Sequence, residues 1–118
     1  MSNVISGNKL IEVMKVVGAS NIDLVKKDNN LYDCCIVYCD ENGHYNCGIA
    51  AIGKNPKEAL YNALCVLMKI IFHSEYEDED ETGALIRRKH KHAIKKARLA
   101  ANKPNLTREE LQALIDSI

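Results

Sequence analysis

Apolar residues recur along this chain with two different periods, and the changes of period divide it into elements. Leu10, Val13, Met14 and Val17 fall on one face at helical spacing, which predicts a helix over 6–17 with Gly18 as its C-terminal stop. The period then shortens to two. Ile22 and Leu24 alternate with Asp23, predicting a strand over 22–27, and Asp28-Asn29-Asn30 is turn chemistry. A second strand is expected over 31–39. Asn42-Gly43 marks a two-residue hairpin turn, and a third strand should follow over 44–52.

Helical spacing returns at Asn55-Pro56-Lys57-Glu58. Asn55 can cap, Pro56 suits the first helical position, and Glu58 sits where a capping box needs it. The helix should continue to about residue 73, with Leu60, Ala63, Leu64, Leu67 and Ile71 as its core face. Cys65, Val66, Ile70 and Phe72 make its end apolar nearly all round. Such a helix is buried on more than one side, by the C-terminal segment or by a second subunit. A third helix is expected over 84–101, on the thin stripe Ile86, Ala93, Ile94, Ala97 and Ala101, and Pro104 ends it. Thr107 with Glu110 forms a second capping box, and Leu106 with Leu111 a hydrophobic staple. Leu111, Leu114, Ile115 and Ile118 stripe the last helix.

The fold class that follows is α+β: helix, three-stranded antiparallel meander, helix, then two C-terminal helices. Three segments are expected: a core over 1–73, an acidic linker over 74–83 and a basic helical extension over 84–118.

Composition agrees with one small domain. The chain has 118 residues, and 47% of them are hydrophobic, enough for a core. Aromatics are only 5%, so that core must be aliphatic. No run reaches the roughly 18 apolar residues of a membrane span. No signal peptide is visible, and the five cysteines therefore read as reduced thiols in a cytosol.

Charge changes the picture more. The formal net charge of zero hides a separation along the chain. Glu75, Glu77, Asp78, Glu79, Asp80 and Glu81 form an acidic run, and no acid occurs from Thr82 to Arg108. Within that stretch Arg87, Lys91, Lys95 and Arg98 fall on one helical ridge, widened by Arg88, Lys89, His92 and Lys96. Phosphate attraction is charge-driven and needs no base readout, and Arg forks fit phosphate bidentately. Arg87, Arg88, Lys91, Lys95 and Arg98 are thus the candidate ligand-binding residues, completed by Arg108 in an oligomer. The competing reading is a solvated face neutralised by the chain's own acidic run. His90 and His92 would strengthen anion binding at about pH 6, where imidazole begins to charge.

Other chemistries fit less well. Cys35, Cys39, His44 and Cys47 have a zinc-like spacing. A two-residue turn would pair Glu41 with His44 and Tyr38 with Cys47, putting Cys47 on the opposite face from the other three. Cys35 and Cys39 would also stand about 13 Å apart along one strand, far for ligands whose Zn–S bonds are about 2.3 Å. Cys39 beside His44 could form a thiol–base pair, but no third group marks either as catalytic. No phosphate loop, dinucleotide fingerprint or calcium loop is present. No metal or cofactor is implied, and an enzyme is not expected. Tyr38 and Tyr45 should share a sheet face with Cys34, Ile36, Cys47 and Ile49, packing in the core or stacking a base at the sheet edge.

Gly48-Ile49-Ala50-Ala51 leading into Asn55-Pro56-Lys57-Glu58-Ala59-Leu60, within a helix–meander–helix order, resembles the phage ABA sandwich domain over about residues 8–71. The resemblance implies a small phage or prophage protein with no catalytic residues, acting in the host cytoplasm. Such proteins counter host defences by blocking an effector or sequestering a nucleotide signal. The same order is similar to a double-stranded RNA-binding domain, but Lys54 and Lys57 alone are basic at the stretch that would grip phosphates. The expected partners are an anionic nucleotide or nucleic acid, or a host protein bound by Glu75–Glu81 acting as a phosphate mimic. A homo-oligomer is also expected.

Overall fold

A computed structural model describes residues 4–72, 92–99 and 105–118. The fold is α+β, with α1 (Gly7–Val17), β1 (Asn21–Lys26), β2 (Tyr32–Cys39), β3 (Tyr45–Gly53), α2 (Pro56–Phe72), α3 (residues 92–99) and α4 (Arg108–Asp116). The strands form one antiparallel sheet in the order β1-β2-β3. No described helix is long and apolar enough to cross a membrane. The expected linker 74–83 and ridge residues Arg87, Arg88 and Lys91 lie outside the described residues.

Local chemistry sets the ends of these elements. Ser6 Oγ accepts from the Lys9 N–H, and Gly18 closes α1 in the left-handed region at φ 70°. Asn55 Oδ1 accepts from the Glu58 N–H at 2.8 Å, while the Glu58 carboxylate reaches back to the Lys54 N–H at 3.2 Å. Thr107 and Glu110 form the full reciprocal capping box at α4. Each cap satisfies backbone donors that the first helical turn leaves unpaired.

The hairpin between β2 and β3 departs from expectation. Its loop has three residues, not two. The Asp40 N–H donates to the His44 carbonyl, and the Gly43 N–H, at φ 82°, donates to the Asp40 carbonyl. The register then shifts between Tyr38 and Cys39: Cys39 pairs with Tyr45, but Tyr38 pairs with Cys47. Asn46 is the extra residue of a β-bulge. Longer loop and bulge offset each other, so Tyr38 meets Cys47 as the shorter turn would have required. Beyond the bulge, toward the loop, side chains change face.

One face of the sheet carries the core. Ile22, Cys34, Ile36, Tyr38, Cys47 and Ile49 pack with Val13 and Val17 of α1 and with the buried side of α2. Ile94 and Ala97 of α3 and Leu111, Leu114 and Ile115 of α4 belong to the same buried cluster. The N- and C-terminal parts thus share one core. α2 lies against β2 and β3 and also contacts α4, while Cys65, Val66, Ile71 and Phe72 toward its end are half-buried. At Gly53 the start of α2 meets the sheet so closely that an added Cβ would stand 2.7 Å from the Glu58 carbonyl carbon. Only hydrogen fits there.

Candidate anion-binding surface

The described turns of α3 have two distinct sides. Ile94, Ala97 and Arg98 are buried, at 1%, 3% and 5% exposure. His92, Lys95, Lys96 and Leu99 are exposed. The division follows from spacing: residues 94, 97 and 98 share one helical face, and the two aliphatic members of that face draw it onto the core.

This splits the ridge expected from the sequence. Lys95 is solvent-facing, but Arg98 is not. Its long apolar stem can pack in the core in the way such side chains do. Burial pulls the Arg98 guanidinium below its ordinary pKa, while Tyr38 and Glu110 push it back up. A guanidinium remains charged under such conditions. Arg98 therefore lies on the buried side of α3, with Tyr38 and Glu110 within electrostatic reach, and does not share the solvent-facing side with Lys95.

The exposed side of α3 stands within electrostatic reach of the hairpin. The His44 N–H holds the Asp40 carboxyl below the usual carboxylate range, helped by the Asn42 N–H and by the charges of His44 and Lys96. The two N–H bonds to Asp40 Oδ1 are each 2.9 Å. Lys96, on the exposed side of α3, is thus within electrostatic reach of the Asp40 carboxylate.

Arg108 lies elsewhere. It is exposed in the first turn of α4 and lines an open cleft of about 410 Å³ with Glu109, Gln112, Ala113 and Asp116. The charges of that cleft are mixed. A second cleft, of about 300 Å³, is lined by Val4, Ile5, Ser6, Lys9, Lys57, Ser117 and Ile118. It brings together two lysines from the first turns of α1 and α2. Sequence reasoning missed that pairing, because nothing in either helix signals the other. Lys9 Nζ is already engaged, donating to Ser117 Oγ at 2.6 Å.

The cysteines are divided by the sheet. Cys34 and Cys47 are buried at 0% and 4% exposure, and Cys35 and Cys39 lie on the other side of the pleat. Burial, with a contribution from Cys35, pushes the Cys34 thiol up to about 12, and that of Cys47 to about 11. Thiols so disfavoured as thiolates are poor nucleophiles and poor metal ligands. Among the described residues no group of His, Cys, Asp or Glu is placed to hold a metal ion.

The tyrosines are divided too. Tyr38 is fully buried, and Tyr45 is 67% exposed. The expectation that they share a face fails because the bulge at Asn46 turns Tyr45 over. Its hydroxyl now lies 3.0 Å from where a Cβ on Gly48 would stand, beside Cys35 Sγ at 2.8 Å from the same point. An aromatic ring therefore rests on the open face of the sheet, across a glycine.

No protein-family model, curated protein or solved structure matches this chain.

Proposed function

We propose that this protein is a non-catalytic binding protein that holds an anionic, phosphate-bearing ligand on the cationic side of α3. The observation that carries the reading is the division of that helix. Ile94, Ala97 and Arg98 anchor it, leaving Lys95, Lys96 and His92 toward solvent. Further cations, Lys91, Arg88 and Arg87, precede these residues in the sequence. Arg108 enters only as a contact from another subunit of a homo-oligomer. The resemblance of residues 8–71 to the phage ABA sandwich domain supports a phage setting. There the protein would sequester a nucleotide signal or block an effector in the host cytoplasm.

Native mass spectrometry of the protein purified from cells, with released small molecules identified, tests this. A nucleotide in fixed stoichiometry, lost on joint Lys95→Ala and Lys96→Ala substitution, is the expected result. Duplex or single-stranded nucleic acid whose affinity collapses with rising salt would instead make the surface a nucleic-acid interface. Protein that carries no anion and binds none in either assay overturns the reading.

A further inference from the structure

The outer edge of β3 has the features of a self-pairing strand. β3 is the last strand of the sheet, with β2 as its one neighbour among the described strands. Its nine residues contain no charge and no proline, two of the usual protections of a sheet edge, and its bulge at Asn46 lies toward the loop, outside Gly48–Ile52. The opposite edge, β1, carries Asp23 and Lys26.

The direction of the free backbone groups can be read from one bond. The Ile52 carbonyl accepts from Asn62 Nδ2 of α2 at 3.0 Å, so it points away from β2. Along a regular antiparallel strand, alternate residues aim their N–H and C=O the same way. The register is regular from Gly48 to Ile52. Gly48, Ala50 and Ile52 therefore turn their backbone groups to the outer edge and their side chains to the open face of the sheet.

We propose that two copies of this chain associate through β3, antiparallel about a two-fold axis at Ala50, joining their sheets into one of six strands. The side chains single out a second copy as the occupant. In this register Ala50 faces its own equivalent, and Gly48 faces Ile52 of the partner subunit. Ile52 is 55% exposed and Tyr45 67% exposed in the single chain. The Tyr45 ring lies across Gly48, so the partner's Ile52 would settle against that ring, and the symmetry makes the contact twice. No like charges meet along the strand. A second copy on β1 would instead have to accommodate Asp23 and Lys26. The Ile52 carbonyl has a second lone pair, so Asn62 need not leave. The proposal stands independently of the anion-binding reading, because it uses none of the α3 residues.

Sedimentation equilibrium of the full chain across a wide concentration range tests it, together with hydrogen exchange. The expected result is a reversible rise to about twice the chain mass of 13.2 kDa, with slowed exchange at the Gly48, Ala50 and Ile52 amides as the dimer forms. Ala50→Lys sets like charges face to face across the axis, and Ile52→Lys removes the contact with Tyr45. Both positions are exposed, so both variants should fold, with unchanged circular dichroism, and lose the doubled mass. Val25→Lys, on the same open face but on β1, should keep it. A chain that stays monomeric at every concentration overturns the proposal. So does a dimer that survives both β3 substitutions, or one that Val25→Lys dissociates equally.

Discussion

The Tyr38 hydroxyl donates a hydrogen bond to the Val17 carbonyl at 2.8 Å, inside the core. It ties the C-terminal end of β2 to the last residue of α1, where the helix has run out of internal donors for its carbonyls. The adjoining chain reversal is fixed at the same place by Gly18 and by the Ser20 N–H, which donates to the Val37 carbonyl at 2.8 Å. Tyr38→Phe keeps the ring and leaves a buried carbonyl without this partner. The expected loss is about 1–2 kcal/mol of stability, read as a lower urea midpoint at unchanged slope.

The two sides of α3 should separate binding from stability. Arg98→Ala removes a buried stem from the inner side of α3, and should destabilise by about 1–3 kcal/mol. Lys95→Ala with Lys96→Ala removes exposed charge and should change stability by no more than about 0.5 kcal/mol. Anion affinity should respond in the reverse order. Urea unfolding alongside titration with a phosphate-bearing probe at low salt checks both halves. Equal effects of the two changes on either readout would contradict the division of the helix.

Gly53 is required by packing. Gly53→Ala would push a methyl group into the backbone of Glu58 and Ala59 at the start of α2. Backbone cannot rotate aside as a side chain can, so the helix must shift from the sheet. Destabilisation of about 1–3 kcal/mol is expected, the range for overpacked cores, with the thermal midpoint as the readout. Gly48→Ala meets side chains, Cys35 Sγ and the end of Tyr45, and should be the milder change.

Alkaline pH should unfold the protein through its buried thiols. The ordinary cysteine value is 9.0, and in the fold Cys34 rises to about 12 and Cys47 to about 11. Raised values stabilise the protonated, folded form fully below about 9. Above that the unfolded chain releases these protons while the native one holds them, so stability falls as pH climbs toward 12. Urea midpoints measured at rising pH should decline from about 9 upward, and substituting Cys34→Ala with Cys47→Ala should flatten the decline. In native protein at moderately alkaline pH, alkylation should spare Cys34 and Cys47 until denaturant is added.

The elements were legible because their signals are local. The caps at Asn55 and Thr107, the stop at Gly18 and the alternation of Ile22 and Leu24 with Asp23 each act within a few residues, and the strands and helices begin and end beside them. The hairpin shows where such reading fails. Asn42-Gly43 announces a turn, but whether it closes over two residues or three depends on what β2 and β3 bury. Here Tyr38 and Cys47 are held on the core face, Asn46 is left out of the ladder, and Tyr45 passes to the open side.

The candidate site divides in the same way. Recurrence of cations at helical spacing through 87–98 and the need of α2 for cover on more than one side were legible in the chain alone, since both are matters of period and composition. Long-range packing put Arg98 on the buried side of α3 and Lys95 in solvent, set α4 against α2, and lined one cleft with Lys9 and Lys57. A helical period names which residues share a face, but not which face the rest of the chain will bury. That choice is made by packing between segments distant in sequence, where a stripe as thin as Ile94 and Ala97 can carry a neighbouring arginine in with it.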